Sequence, residues 1–206
     1  MILLSVLTEA KIGLWISVIC FVLMSFFVIS FYLPEFKQRS AKKVSNKTNK
    51  EFLSNQGVKD ELIETLLKAV NHLANRKIGA IITIEKEHNL NTLVEGAVKL
   101  DSLVTFELLV TIFHPNTALH DGAVIIRGNR IKCASAFYNP SQKSDIEQHY
   151  GSRHRAAIGI SEQSDSFTIV VSEETGRIAT TIDGTITGSV SIDDLKTSLE
   201  RNLIVR

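Results

Sequence analysis

The feature that most constrains this chain is a 23-residue interval without a charged side chain, between Lys11 and Glu35. Leu, Ile, Val and Phe dominate it. As a helix it would extend about 34 Å, enough to cross the roughly 30 Å hydrocarbon core of a bilayer. A buried helix of a soluble protein is disfavoured because apolar residues occupy every face. A cleaved signal peptide is disfavoured by the length, the weak charge before the run and the missing small-residue cleavage site. The interval predicts one transmembrane helix, 12–34, in a membrane anchor formed by residues 1–34.

The stretch that follows the apolar run is strongly basic. Residues 35–50 contain six Lys or Arg against a single acid, whereas the flank before the run has only Glu9 and Lys11. The positive-inside bias then predicts that residues 35–206 face the cytoplasm. Nucleic-acid binding is the alternative, but a position directly after a spanning helix favours contact with anionic lipid headgroups. We therefore expect a single-pass protein of the cell membrane, with 35–57 as a basic juxtamembrane linker.

Charge and cysteine content limit what the rest of the chain can do. The formal net charge is +1, and the basic stretch carries +5, which leaves −4 for residues 51–206. Nothing there attracts nucleic acid in general, so a site for an anionic ligand must be built from specific groups, with or without a metal. Cys20 and Cys133 show no metal-binding or disulfide spacing, which favours a reducing compartment.

The order of predicted elements indicates an α/β domain over 58–206, with a mixed β-sheet flanked by helices. Hydrophobic periodicity, turn residues and capping residues define the elements. They are a helix over 58–76, a strand over 78–84, a helix over 102–113 capped by Ser102, strands over 123–127 and 131–137 around Gly128-Asn129, a helix capped by Ser152, strands over 168–171 and 177–182, and a last helix capped by Ser191.

An acid stands directly before one of the apolar strands. Asp121 is followed by Gly122 and Ala123, whose small side chains let a ligand approach the backbone. A carboxylate in that position can hold a divalent metal or orient a hydroxyl nucleophile. The alternative is an ordinary turn, since Asp-Gly is a common loop pair.

The start of the third predicted helix carries an unusual concentration of positive charge. Arg153, His154 and Arg155 follow Ser152 at the positive end of the helix dipole, where an anion would relieve the repulsion. Free N–H groups, a hydroxyl and arginine forks together suit phosphate groups. A solvated basic turn is the alternative.

A turn between two predicted strands carries two acids. It comprises Ser172 to Gly176 and includes Glu173 and Glu174. One Glu can join Asp121 in holding a hard cation over a polyphosphate, which commonly uses one or two carboxylates. Otherwise the turn is a hairpin with a charged tip. Walker A, GxGxxG, GxSxG and HExxH motifs are all absent from the sequence.

Three segments, taken in order, resemble the catalytic domain of diadenylate cyclases. They are IGAIITIE (78–85), FHPNTALHDGAVIIRGNRI (113–131) and GSRHRAAIGISEQSDSFTIVVSEETG (151–176). The resemblance covers most of residues 58–190, and DGA followed by RHRAA and then SEETG is specific. The single anchor resembles the one-helix, membrane-bound branch of that family.

The resemblance implies an activity and a set of residue roles. Two ATP molecules would be joined into cyclic di-AMP with release of two pyrophosphates, in the presence of Mg²⁺ or Mn²⁺, by two active sites that face each other in a homodimer. Asp121 would act at the 3′-hydroxyl and the metal, and Arg153 would serve catalysis and phosphate binding. The other roles fall to nucleotide-binding residues (Gly122, Ala123, Tyr138 near the adenine, Ser152, His154 and Ser172) and to metal ligands (Glu174 and His120).

Two other function classes remain open from the sequence. A non-catalytic module could sense a nucleotide without turning it over, although the intact Asp121 argues against that. A metal-dependent phosphodiesterase would need a denser set of His and Asp ligands than this chain offers.

Overall fold

The computed structural model describes the chain in segments. These are Trp15, residues 17–27, residue 29, and residues 55–144, 146–147 and 150–203. The chain divides into two units, Met1–Ser45 and Asn46–Arg206. The described residues of the first unit are helical, and the rest of the predicted span 12–34 lies outside the described residues, as does most of the predicted linker 35–57. Across the described ranges, no helix has both the length and the apolar character needed to cross a membrane.

The second unit is built on one mixed sheet. Its strands are β1 (Ala80–Ile84), β2 (Val98–Leu103), β3 (Ala123–Arg127), β4 (Arg130–Ala136), β5 (Phe167–Val171), β6 (Ile178–Ile182) and β7 (Thr185–Thr187). Its helices are α1 (Gln56–Asn75), α2 (Asn91–Glu95), α3 (Phe106–Phe113), α4 (Ser152–Gln163) and α5 (Ile192–Asn202). The strand order is β2-β4-β3-β1-β5-β6-β7, and only β1 and β3 pair in parallel. The predicted mixed α/β fold is confirmed.

Helices cover both faces of the sheet, which makes the central strands buried throughout. Along β1, Ile82 and Ile84 belong to a core shared with α1, α3 and α5, whereas Ile81 belongs to a second core shared with α4. This alternation is the period of two that a strand imposes. Both faces are apolar, so β1 and β5 appear as short continuous hydrophobic runs.

One predicted helix start is wrong. Ser102 does not cap a helix, because it lies in the edge strand β2, paired with Ile131 of β4. Helix α3 begins four residues later than predicted, and Thr105 caps it by accepting a hydrogen bond from the Leu108 N–H at 3.2 Å. By contrast, Ser191 caps α5 as predicted.

The register brings several chain ends together at one end of the sheet, here named the site end. β1 and β3 both begin there because they are parallel. β4 and β5 both end there, with Ala136 opposite Ala123 and Val171 opposite Ala80, and β6 begins there opposite Val171. Every loop that carries a sequence-predicted site residue therefore adjoins this end.

Candidate active site

A cleft of about 240 Å³ opens at the site end. Its walls are the first turn of α4 and the turn between β5 and β6, with one side closed by the segment after β7. The lining residues are Tyr150, Gly151, Ser152, Arg153, His154, Val171, Ser172, Glu173, Glu174, Thr175, Arg177, Ile178, Ala179, Gly188 and Ser189. The structure thus unites two of the three motifs in one cavity, although they are about twenty residues apart in sequence.

The α4 amino terminus forms the positive wall of the cleft. Its cap is Gly151 rather than the predicted Ser152, which is the first residue of the helix; Gly151 has no side chain to accept a hydrogen bond, and no acid occupies the first turn. The partial positive charge of the helix end is therefore directed toward the cavity, where an anion would be stabilised. Ser152 adds a hydroxyl beside these N–H groups, so the wall suits a phosphate chain.

Arg153 lies between a glycine and a carboxylate. Its Nη1 donates to Glu173 Oε2 at 2.5 Å. On its other side, a Cβ built on Gly79 would come within 2.8 to 3.0 Å of three guanidinium atoms. The absence of a side chain at Gly79 is what allows the guanidinium group to reach this position. The Arg153 side chain is 20% exposed and Glu173 is 59% exposed, so the pair is open to solvent from the carboxylate side.

His154 and Tyr150 form an aromatic pair in the same wall. Their ring centroids are 5.0 Å apart and their planes are inclined by 40°. Burial raises the pKa of the Tyr150 phenol, and the negative charge of Glu147 adds to this effect. The Tyr150 hydroxyl also lies against Gly188, where a larger residue would collide with it. Tyr150 therefore stays a neutral hydroxyl at neutral pH.

The β5–β6 turn is held by its own hydrogen bonds. The Ser172 carbonyl accepts from the Gly176 N–H at 2.9 Å, and its hydroxyl oxygen accepts from the Thr175 N–H at 3.3 Å. The side chain of Glu174 is exposed at the tip of the turn. This places the carboxylates of Glu173 and Glu174 on the negative side of a cleft whose opposite wall is positive.

Asp121 lies at the site end but outside the cleft lining. It is exposed, just before β3, which is separated from β5 only by β1. Two strand spacings correspond to about 10 Å. Gly122 has φ +103°, and a Cβ there would come within 2.8 Å of the Ser135 backbone. Only glycine fits this bend, while Ala123 is buried beneath it.

His120, the other residue of this loop that was selected from the sequence, makes a hydrogen bond to the backbone. Its Nδ1 lies 2.6 Å from the Thr117 carbonyl oxygen. A carbonyl oxygen only accepts, so Nδ1 donates this hydrogen bond, and in the neutral imidazole Nε2 is then the nitrogen that can accept or bind a metal. Across the ranges that the structure describes, His120, Asp121 and Glu174 are not gathered with one another, and no group of three or more His, Cys, Asp or Glu could by itself hold a metal.

Two neighbouring aromatic residues after β4 take opposite environments. Tyr138 is 4% exposed and belongs to the second core, and burial raises the pKa of its phenol. Phe137 is 78% exposed. Sequence reasoning selected Tyr138 and missed Phe137, as it also missed Gly79, Tyr150 and the pairing of Glu173.

Comparison with known proteins identifies a family and several relatives. The family model described as DAC, DisA bacterial checkpoint controller nucleotide-binding, matches residues 67–186. Cyclic di-AMP synthase CdaA of Bacillus subtilis is 44% identical over 138 residues, which is 67% of this chain and 50% of that protein. A diadenylate cyclase of Mycoplasma pneumoniae is 39% identical over 160 residues, 77% of each chain.

The fold is similar to that of a solved relative as well. The crystal structure of DacA from Staphylococcus aureus, a double mutant, superposes with a TM-score of 0.70 at 42% identity, covering 71% of this chain and 97% of that one. The match to CdaA spans half of that curated relative's length. Family model, identities and fold agree, and this chain belongs to the DAC family, whose model is described as DisA bacterial checkpoint controller nucleotide-binding.

Proposed function

We propose that this chain is a membrane-anchored diadenylate cyclase, which joins two ATP molecules into cyclic di-AMP and releases two pyrophosphates. The observation that carries the proposal is the cleft at the site end, where the α4 amino terminus and Arg153 face a turn of carboxylates, with Asp121 at the same end of the sheet, just before β3. The relatives named cyclic di-AMP synthase and diadenylate cyclase support it.

The positive wall holds the triphosphate. The N–H groups of the α4 first turn, the Ser152 hydroxyl, Arg153 and His154 bind phosphate oxygens, and Ser172 contacts the nucleotide from the opposite wall. Phosphoryl transfer needs chiefly positioning and charge neutralisation, both of which this wall supplies. The charge that develops on the departing pyrophosphate is stabilised by the same groups.

Asp121 acts on the nucleophile. It orients the 3′-hydroxyl of one ATP and accepts its proton, while the 3′-oxygen bonds to the α-phosphorus of the other ATP. The bond from that phosphorus to the bridging oxygen breaks, and pyrophosphate leaves. A second, equivalent step closes the ring. The exposure of Asp121 outside the cleft supports a role toward a nucleotide that is not held in its own cleft.

The base of ATP needs an apolar surface. We assign this role to Phe137 in place of Tyr138, because the Phe137 ring is exposed beside the end of β4 and the Tyr138 ring is buried. Gly122 and Ala123 would contact the nucleotide only through their backbone, because the Gly122 Cα packs against the Ser135 backbone and Ala123 is buried. A stacked aromatic ring typically contributes about 1 to 3 kcal/mol per base.

The donor groups at the site end fit Mg²⁺ or Mn²⁺. Asp121 and Glu174 are exposed carboxylates, and His120 presents Nε2. Mg²⁺ is usually held by one or two carboxylates together with substrate phosphates, which agrees with the absence of a three-ligand cluster in the described residues. Because these residues are not gathered in one group, an ion would be held by Asp121, with His120 beside it, or by Glu174, in each case together with substrate phosphates whose charge it would neutralise.

Two further parts of the proposal concern assembly and location. One cleft binds one ATP, so two sites must face each other in a homodimer. The apolar run 12–34 and the basic residues 35–50 place the chain in the cell membrane, against anionic lipid, with 58–206 as the catalytic domain in the cytoplasm.

The decisive experiment incubates the full-length chain, in detergent, with ATP and Mn²⁺ and separates the products by chromatography. The wild type is expected to form cyclic di-AMP and pyrophosphate. Asp121→Asn is expected to lose about 100-fold or more of the turnover, since a charge-stabilising catalytic group typically contributes that much, while still binding ATP. ATP binding without turnover by the wild type would contradict the proposal and favour the nucleotide sensor.

A further inference from the structure

The guanidinium group of Arg153, which should bind phosphate, is paired with the carboxylate of Glu173. Nη1 of Arg153 has a carboxylate oxygen, Glu173 Oε2, at 2.5 Å. A carboxylate and a phosphate present the same kind of oxygen to a guanidinium fork. Both compete for the N–H groups on the Nη1 side of the guanidinium, and a phosphate that binds on that side displaces the Glu173 carboxylate.

We propose that Glu173 is a positioning residue that acts as an internal substitute for phosphate: it pairs with Arg153 while the cleft is empty, yields it to ATP, and recovers it when pyrophosphate leaves. The proposal rests on the proposed function and specifies how its phosphate site is controlled. Glu173 itself touches no reacting atom.

The exposures of the two side chains favour such an exchange. The Arg153 guanidinium group occupies the space over Gly79 and the side chain is only 20% exposed, so most of it is enclosed by protein. Glu173 is 59% exposed and lies in a surface turn, so it can leave into water without burying a charge. Ion pairs this exposed contribute little to stability, so a triphosphate can displace the carboxylate from Arg153.

The exchange has a consequence for turnover. Pyrophosphate is a strongly charged product on a positive wall, where it would tend to remain bound. A carboxylate that returns to Arg153 competes with it and opposes its rebinding. Glu173 therefore weakens the binding of both ATP and pyrophosphate.

The test measures binding rather than turnover. In the presence of a chelator, pyrophosphate, ATP and adenosine are titrated by calorimetry into the full-length wild type and Glu173→Gln. We expect Glu173→Gln to bind pyrophosphate and ATP about two- to fivefold more tightly, and adenosine as the wild type does. Pyrophosphate should also inhibit cyclic di-AMP formation by this variant at correspondingly lower concentration.

Two comparisons separate pairing from a general charge effect. Glu174→Gln removes the same charge from the adjacent position of the same turn, and should tighten metal-free pyrophosphate binding less. In an Arg153→Ala background, Glu173→Gln should no longer tighten pyrophosphate binding, because the guanidinium group with which Glu173 pairs is absent. Equal effects of Glu173→Gln and Glu174→Gln, or an effect that persists without Arg153, would overturn the proposal.

The outcome is independent of the cyclase assay. If the wild type makes no cyclic di-AMP but Glu173→Gln binds pyrophosphate more tightly, the proposed function is rejected and the exchange of Glu173 for phosphate on Arg153 is supported. A wild type that makes cyclic di-AMP, together with unchanged pyrophosphate binding by the variant, would reject the exchange and keep the function.

Discussion

At the scale of single residues, Gly79 determines where a guanidinium group can lie. Alanine there would place a methyl carbon within 2.8 to 3.0 Å of Arg153 side-chain atoms, and that side chain would have to move. The displaced atoms are the end of a flexible side chain, so we expect Gly79→Ala to leave the unfolding temperature near that of the wild type. ATP affinity should fall about three- to tenfold, a partial loss of a charge-assisted hydrogen bond.

Calorimetric titration of ATP and a thermal melt check the Gly79→Ala prediction together. Gly57→Ala is the matched control, because Gly57 lies in α1 and a Cβ there would meet only the Asn55 side chain at 3.6 Å, an ordinary contact. A Gly79→Ala variant that binds ATP as well as Gly57→Ala does would show that Gly79 does not position Arg153.

The sequence predicted some candidate site residues but not which aromatic residue after β4 is buried. The motif around Asp121 and the basic α4 terminus were found because each is local. The burial of the Tyr138 side chain could not be predicted from the alternation of inward and outward residues along a strand, because β4 is irregular. Ser135 has φ +56°, and the register with β3 shifts twice. Each irregularity breaks the period of two, so counting from the Gly128-Asn129 turn does not tell whether residue 137 or 138 faces the core.

At the scale of elements, helix α3 is capped by Thr105 and not by Ser102, the cap predicted from the sequence. The Thr105 hydroxyl accepts from the Leu108 N–H, whereas the buried Ser102 hydroxyl has no hydrogen-bond partner among the described residues. We expect Thr105→Ala to lower the free energy of unfolding by about 1 kcal/mol, and Ser102→Ala to leave it unchanged or raise it. Urea unfolding followed by circular dichroism measures both, and a larger loss for Ser102→Ala would contradict the assignment.

Strand β2 was not predicted from the sequence, although the outline of the fold was. Strands β1 and β5 can be recognised in the sequence because each is a continuous apolar run. β2 is an edge strand with no buried residue, and its contacts are a pairing with β4 and ion pairs from Asp101 to Arg130 and Lys132. Those partners lie about thirty residues away, so no local pattern favoured a strand over the start of a helix.

At the scale of the whole molecule, the proposed facing dimer makes activity depend on concentration. Specific activity should rise with protein concentration until the dimer is saturated, and removing residues 1–34 should lower it most in dilute solution, because a membrane anchor raises the effective concentration of protomers. An equal mixture of wild type and Asp121→Asn should give about a quarter of the wild-type cyclic product under random pairing, because a mixed dimer can form only one of the two bonds. Product proportional to the wild-type fraction, without dependence on dilution, would contradict the facing dimer.

The central place of β1 in the sheet has a consequence for synthesis on the ribosome. β1 is made before both of its neighbours, β3 and β5, and β5 ends at Val171. At about 5 to 20 residues per second, the strand AIITI waits roughly 5 to 20 s for its second partner. The sheet therefore cannot assemble strand by strand as the chain emerges, and a nascent chain that stops short of β5 exposes its most apolar strand to chaperones and to aggregation.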